Sequence, residues 1–316
     1  MFALRGVAIS FSVFVVVYCV LSLAVCLTWR RIRQRVQDHR VRRIADLLFS
    51  LRMLPLASAA LITAAFTVPS FLLLEPRAID EPVGAAPLTL GILGATLALM
   101  GAGNALLAMF RASRSISLWT SDAQPLAMVA DVPVLRIQQS VPAMTVTGIV
   151  RPKVLVSGVA EFLLSERELQ TALNHEMAHV QRRDNLRKLL FRFVAFPGMR
   201  ALESSWLEAT EMAADDAAVS NHGEALDLAA ALIKLSRFAP ADSRADLSAA
   251  LVHNPASMMN ARVERLISWS DQPQVHSKGL SGRSGIAVAA VVLTVFGGVY
   301  SPLLSEIHTA TEWLMR

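Results

Sequence analysis

Cysteine is nearly absent from this sequence of 316 residues. The only two, Cys19 and Cys26, lie in one apolar stretch near the N-terminus. They provide no disulfide framework and no thiolate zinc site. A thiol in apolar surroundings is also a poor nucleophile. The cysteine content therefore argues against a disulfide-stapled scaffold, a cysteine-ligated zinc domain and cysteine-based catalysis.

Charge is also scarce. Asp, Glu, Lys and Arg make up 17% of the residues, whereas a soluble domain carries about 25%. The deficit is concentrated in four stretches that contain no charged residue and are long enough to cross a bilayer, for which about 20 residues suffice. They predict four transmembrane helices, and the absence of charge inside them argues against an ion pathway. These stretches are Gly6–Thr28, Met53–Leu74, Leu88–Phe110 and Ser284–Leu304.

The basic excess is confined to one loop. The net charge is +5, yet residues 111–283 contain 19 Lys and Arg against 18 Asp and Glu. In Arg30–Asp46, by contrast, seven arginines face two aspartates. This loop lies between two predicted spans, so its charge indicates membrane topology rather than a nucleic-acid-binding patch. We expect contact with the lipid bilayer and no direct binding of nucleic acid.

The distribution of basic residues predicts one orientation for all the loops. The Arg-rich loop stays in the cytoplasm, which places the N-terminus outside, and the next loop, Glu75–Pro87, is net acidic. Arg111 and Arg114 follow the third span, so residues 111–283 form a cytoplasmic domain. The fourth span then leads to a short external tail, residues 305–316. The sequence predicts a multi-pass membrane protein with both termini extracytoplasmic.

A metal-binding motif, H-E-x-x-H, occupies His175–His179. Ser165 and Glu168 form a capping-box pattern that predicts the start of a helix just before it. Residues four apart share one helical face, so His175 and His179 can bind one zinc ion. Glu176 is then placed to act on a water molecule at the metal.

A catalytic zinc site needs a third protein ligand. Glu211 is the best candidate, in the sequence Glu211-Met-Ala-Ala-Asp215. On a helix Asp215 shares its face, where it would accept a hydrogen bond from the far nitrogen of a ligand histidine. Glu208, one turn earlier, is the fallback ligand. The plainer interpretation of these acids is a solvated helix face.

The segment between the third and fourth spans mixes strands and helices. Short Val-, Ile- and Thr-rich runs predict strands, and longer segments at helical spacing predict helices. A break at Pro197-Gly198 separates the histidines from Glu211, so that two helices can pack and bring the ligands together. The predicted strands are Pro133–Gln138, Met144–Val150 and Lys153–Ser157; the predicted helices are Ser165–Phe196, Ser205–Val219, Glu224–Phe238 and Ala256–Trp269.

The run His175–Asn185, H-E-M-A-H-V-Q-R-R-D-N, resembles the active-site stretch of the BlaR/MecR-type membrane metallopeptidases. Two further features are similar to that family. One is the sequence Glu211-x-x-Ala214-Asp215, and the other is the order of three spans, a zinc domain and a fourth span. The similarity covers most of residues 1–304, and the Arg-Arg-Asp tail distinguishes it from Ste24/HtpX-like proteases.

The resemblance implies a mainly α membrane protein of the bacterial inner membrane. Four transmembrane helices would carry a cytoplasmic α+β gluzincin-like zinc peptidase domain between the third and the fourth. Zn²⁺ would be bound by His175, His179 and Glu211, and Glu176 would be the catalytic base. The expected activity is that of a zinc metalloendopeptidase.

The resemblance also implies a regulatory role. Such proteins often cleave themselves and act with a BlaI/MecI-like transcriptional repressor, so the expected partner is a cytoplasmic protein substrate, with a repressor as one candidate. Antibiotic-sensing members carry a penicillin-binding domain after the fourth span, whereas this sequence stops at Arg316. Direct beta-lactam sensing is therefore not expected. The activating signal and the oligomeric state stay open.

Two other functions stay open beside the regulatory peptidase. One is a general quality-control protease of Ste24/HtpX type, and the other is a signal relay that binds a partner without cutting it. For a peptidase, His222, His253 and Arg262 are candidate second oxyanion donors. An extended substrate would pair with an edge strand, Met144–Val150. The flexible linker Val275–Gly285 is a candidate for cleavage in cis.

Overall fold

The described residues of the computed structural model are 2–32, 41–76, 83–138, 143–193, 196, 198–237, 249–250, 256–269, 300 and 302–312. They form two compact units. The first comprises the described residues of Met1–Arg31, Met53–Met100 and Pro273–Arg316. The second comprises those of Ile32–Arg52 and Gly101–Gln272.

Three helical segments are long and apolar enough to cross a membrane, Phe2–Trp29, Val41–Leu74 and Ala85–Trp119. They match the first three predicted spans. The predicted fourth span, Ser284–Leu304, lies largely outside the described residues. The helices themselves are α1 (Phe2–Ile32), α2 (Val41–Ile62), α3 (Val68–Leu74) and α4 (Ala85–Trp119), and a further helix, residues 302–312, lies near the C-terminus.

A widened helical turn, Thr63–Thr67, joins α2 to α3. It ends two residues before Pro69, which has no N–H to donate to the carbonyl of Ala65 one turn earlier. The Tyr300 hydroxyl donates to that carbonyl instead, at 2.7 Å. The proline therefore accounts for both the irregular turn and the polar contact that repairs it.

Glycines allow α1 and α4 to approach closely. A Cβ atom on Gly91 would lie 2.9 Å from the Ala8 carbonyl oxygen, and one on Gly94 would lie 2.5 Å from that of Phe11. Any larger residue would force the two backbones apart, which is the usual reason for small residues between transmembrane helices.

The second unit contains a five-stranded mixed sheet of order β1-β2-β4-β3-β5. Strands β2 and β4 are parallel, and the other neighbouring pairs are antiparallel. Ala130 and Asp131 close the β1–β2 hairpin with positive φ angles of 46° and 64°, as a two-residue turn requires. The strands are β1 (Gln124–Val129), β2 (Val132–Ile137), β3 (Met144–Thr147), β4 (Lys153–Ser157) and β5 (Ala249–Ala250).

Several helices pack on this sheet. The buried core combines inward residues of β2, β3 and β4 with those of α6, α9 and α10. Leu173 and Met177 of α6 belong to it, and Leu169 and Val180 pack against it, as their spacing predicts. The helices are α5 (Gly158–Leu163), α6 (Glu166–Arg182), α7 (Asp184–Phe193), α8 (Arg200–Ala218), α9 (His222–Ser236) and α10 (Ala256–Ile267).

The helix predicted over Ser165–Phe196 is two helices. The capping box at its start is confirmed, because Ser165 and Glu168 each accept from the other's backbone N–H. The helix ends, however, at Arg183, which adopts a left-handed conformation with φ 53°. A new helix, α7, begins at the next residue, so the break precedes the predicted one at Pro197-Gly198.

The N-terminal half of α2 belongs to the second unit, although we had assigned Arg30–Asp46 to a loop. Val41–Asp46 is helical and continues to Arg52, which is buried and donates to Glu203 of α8 at 3.0 Å. Asp46 accepts from Arg187 of α7 at 2.8 Å. These contacts connect α2 to α7 and α8, the two helices that follow the metal-binding motif in the chain.

Candidate metal centre

Two helices of the second unit bring three candidate ligands together. His175 and His179 lie one turn apart on α6, with their Nε2 atoms 3.1 Å apart. Glu211 reaches them from α8, with its carboxylate oxygens 3.6 Å from His175 Nε2 and 3.7 Å from His179 Nε2. Two ligand atoms bound to one zinc ion at about 2.1 Å in tetrahedral geometry would be about 3.4 Å apart. The three side chains therefore have the spacing of a shared metal site.

The fallback ligand does not join them. Glu208 is exposed, whereas Glu211 is buried. One turn of α8 separates a surface acid from a buried one, so the interpretation of these acids as a solvated face fits Glu208 alone.

Each histidine is oriented by a buried aspartate. Asp215 Oδ1 lies 2.9 Å from Nδ1 of His175, where the sequence placed it. Asp184 Oδ2 lies 2.8 Å from Nδ1 of His179. The N–H that His179 donates to Asp184 leaves Nε2 with the free electron pair that a metal needs, and Asp215 lies close enough to His175 Nδ1 to favour the same tautomer there. The role of Asp184 was not predicted, although it lies in the Arg-Arg-Asp tail of the motif.

Arg262 ties the two acids of α8 together. Its side chain is fully buried, donates to both carboxylate oxygens of Asp215 at 2.8 and 2.6 Å, and lies 3.1 Å from Glu211 Oε2. We had considered it as an oxyanion donor, but these contacts make it a positioning residue. Of the other candidates, His222 is exposed and its Nδ1 lies 3.0 Å from the Trp269 carbonyl oxygen, and His253 lies outside the described residues.

The carboxylate of Glu176 lies in an environment that perturbs its pKa. The side chain is completely buried, and neither oxygen has a hydrogen-bond partner among the described residues. Burial raises the pKa of Glu176 to about 7. A buried acid without a partner is costly unless the site uses it, and a pKa near neutrality suits a general base.

The electrostatics of the site favour a cation. Burial disfavours a charged His175, but Asp215 and Glu211 outweigh burial and raise the pKa of His175 to about 9. Burial acts against a charged Glu211 too, yet His179, His175 and Arg262 lower its pKa to about 2. The acids thus draw a proton onto the imidazole, and a bound metal would replace that proton. The donor set of two imidazoles and one carboxylate suits zinc.

The fold and the site together define a membrane-associated metallopeptidase. The model of the family described as BlaR1 peptidase M56 matches residues 94–266, which is more than half of the chain. The chain belongs to this family. The match extends from α4 to α10 and includes all the residues of the metal centre. No curated protein matches the chain.

Proposed function

We propose that this protein is a zinc-dependent endopeptidase of the bacterial inner membrane with a regulatory role. The observation that carries the proposal is the convergence of His175, His179 and Glu211 beside the unpaired, buried carboxylate of Glu176. Two imidazoles and a carboxylate leave a fourth position open, as catalytic zinc sites do and structural sites do not.

The residues divide the chemistry between them. His175, His179 and Glu211 would hold a zinc ion, which would supply the Lewis acidity that activates water and polarises a carbonyl group. Glu176 takes a proton from the attacking water and passes it to the departing amine. Asp215 and Asp184 hold the two imidazoles in place during this transfer, and Arg262 fixes Asp215 and Glu211.

The proposed substrate is a cytoplasmic protein, with a BlaI/MecI-like repressor as the first candidate. This assignment follows from membership of the family and from the charge-based topology, which puts the peptidase domain in the cytoplasm. The catalytic domain would then share a compartment with a DNA-bound regulator, although the chain itself has no basic surface stretch in residues 111–283 that would indicate DNA binding.

The arrangement of β3 supports cleavage of the chain by itself. We had expected β3 to be a free edge strand, but it pairs with β4 on one side and with β5 on the other. Thr145 and Val146 face Ala250 and Ala249 in antiparallel register, and α6 contacts both β3 and β5. The backbone of β5 therefore occupies the position in which an extended substrate would add to the sheet.

We propose that the segment around Ala249–Ala250 is a substrate in cis. A substrate in trans would have to displace β5, because the opposite edge of the sheet, β1, is separated from β3 by two strands. The linker that we had considered as a cis substrate, Val275–Gly285, lies outside the described residues.

Replacement of one carboxylate oxygen of Glu176 by an amide nitrogen tests the proposed function. The full chain, purified in nanodiscs, should contain zinc and cleave itself or a candidate repressor. Glu176→Gln should retain the zinc and lose the cleavage, because the base is gone while the ligands remain. Glu211→Gln should lose zinc, whereas Glu208→Gln, an exposed residue of the same helix, should change neither property.

Metal analysis and mass spectrometry of the new termini provide the measurements. A wild-type protein that binds zinc but yields the same fragments as Glu176→Gln would contradict the proposal and favour a relay that binds without cutting. Cleavage of many unfolded membrane proteins, compared with that of a single repressor, would favour the quality-control alternative.

A further inference from the structure

A second group of potential metal ligands lies in the first unit, in helices that contribute nothing to the peptidase site. Glu75 follows the last residue of α3, and His308 and Glu312 lie one turn apart on the C-terminal helix, residues 302–312. One ligand atom from each lies within 4.8 Å of the others. His308 Nε2 is 3.9 Å from Glu75 Oε2 and 3.5 Å from Glu312 Oε1.

These distances are too long for hydrogen bonds, which bring nitrogen and oxygen to about 2.7–3.2 Å. They are close to the separation of about 3.4 Å between two ligand atoms on one tetrahedral zinc ion. The spacing also matches that of the candidate peptidase centre, where the carboxylate oxygens of Glu211 lie 3.6 and 3.7 Å from the two imidazoles. The three side chains therefore point toward a common position but do not form hydrogen bonds with one another.

The surroundings of Glu75 resemble those of a metal-binding carboxylate. Its side chain is 5% exposed, and its Oε1 forms a 2.9 Å ion pair with the buried Arg5. Ligand carboxylates are commonly held in this way by a neighbouring donor. The pair occupies one oxygen of Glu75 and leaves Oε2 directed toward His308.

The donor set selects the class of ion. An imidazole with two carboxylates suits first-row transition metals such as zinc, whereas calcium and magnesium prefer oxygen ligands alone. Glu312 is 47% exposed, so an ion can reach the cluster from solvent. Arg5 and the two carboxylates of the cluster together carry one net negative charge, which favours the binding of a cation.

We propose that Glu75, His308 and Glu312 form a second, solvent-accessible site for a divalent transition-metal ion that fastens the C-terminal helix to the end of α3. The charge-based topology predicts that this site lies on the extracytoplasmic side. The proposal does not depend on peptidase activity, since it involves none of the residues of that site.

Zinc stoichiometry of the full chain in nanodiscs tests the site. Wild type should bind two zinc ions per chain, and either His308→Ala or Glu312→Gln should bind one. His175→Ala should also bind one, and the double variant His175→Ala with His308→Ala should bind none. Glu306→Gln, an exposed acid of the same helix, should still bind two.

A spectroscopic readout separates loss of the ligand from loss of the fold. Cobalt(II) added to His175→Ala should give the visible absorption of a protein-bound ion, and Glu312→Gln in that background should weaken cobalt binding at least about tenfold. A His175→Ala chain that binds no zinc, or a His308→Ala chain that binds as much zinc as wild type, would overturn the proposal. So would His308→Ala lowering thermal stability equally with and without zinc, because the cluster would then be an ion-pair network alone.

Discussion

His179 depends on a residue that follows it by five positions. Asp184 Oδ2 lies 2.8 Å from its Nδ1 and is completely buried. In Asp184→Asn the amide can present an N–H to Nδ1, which would move the ring proton to Nε2, on the metal side. We expect the affinity for zinc to fall about 10- to 100-fold, measured by competition with a chromophoric chelator.

Asp216→Asn provides the control for this change. Asp216 forms a partly exposed ion pair with Arg265 instead of contacting a ligand imidazole, so its substitution should leave zinc affinity within about twofold. Equal losses of affinity in the two variants would mean that Asp184 acts through the fold rather than through His179.

Arg262 supports the site from a third helix. It pairs with Asp215 and lies within 3.1 Å of Glu211, and all three side chains are buried. Arg262→Met would leave two buried carboxylates without their cation. We expect the free energy of unfolding of the metal-free protein to fall by about 3–5 kcal/mol, as measured by denaturant unfolding of the full chain in detergent.

Arg265→Met is the matched control, because Arg265 lies on the same helix and pairs with Asp216, and these two side chains are partly exposed. Its loss should cost at most about 1 kcal/mol. Equal destabilisation by the two substitutions would contradict the assignment of Arg262 as the positioning residue.

At the scale of single residues, sequence spacing predicted which side chains of one helix would lie on the same face. It did not predict the contacts made by residues outside that helix. The four-residue interval in His175–His179, and again in Glu211–Asp215, places side chains on one helical face whatever the tertiary structure. The role of Asp184 depends on the left-handed residue Arg183, which turns the chain back toward the motif. The pairing of Arg262 spans 47 residues, and no local pattern encodes such a contact.

At the scale of elements, the proposal that β5 occupies the position of a substrate strand can be tested, because β5 pairs with β3. In an antiparallel strand, successive N–H groups point alternately toward and away from the partner. One of the two substitutions Ala249→Pro and Ala250→Pro therefore removes a hydrogen bond to β3, whereas the other removes none. We expect the substitution that removes the hydrogen bond to slow self-cleavage about tenfold. The substitution that removes none should change the rate much less.

The rate at which the cleavage fragment appears on gels measures self-cleavage in each variant, and mapping of its new N-terminus identifies the cleaved bond. The slower variant should also cleave a substrate in trans faster, because β3 is then more often free. If both variants cleave themselves at the wild-type rate, β5 is not the segment presented to the site.

Elements with a clear apolar or periodic signal were predictable, and elements without one were not. The apolar spans and the amphipathic helix α6 carry signals over many residues, and β4 was predicted at its observed bounds, Lys153–Ser157. Strand β1 is almost entirely exposed, so it lacks the alternation by which a strand is recognised. Strand β5 has two residues, too few for any periodicity.

At the scale of the whole molecule, two observations bear on topology. The contacts within the first unit show which segments lie together, and the charge pattern predicts on which side of the membrane they lie. Arg5 near the N-terminus pairs with Glu75 after α3, and His308 lies 3.9 Å from the same Glu75. The N-terminus, the end of α3 and the C-terminal helix therefore share one end of that unit. The charge pattern predicts which end this is, namely the extracytoplasmic one.

Single-cysteine labelling in intact cells tests both statements, after Cys19 and Cys26 are replaced by serine. Asp80→Cys and Thr309→Cys should react with a membrane-impermeant maleimide, whereas Arg35→Cys and Asp122→Cys should react only after the membrane is opened. The opposite pattern would refute the orientation but not the contacts between Arg5, Glu75 and His308. Because those contacts place Glu75 and the C-terminal helix together, labelling of Asp80→Cys without Thr309→Cys would refute the arrangement of the unit itself, whichever way the chain faces.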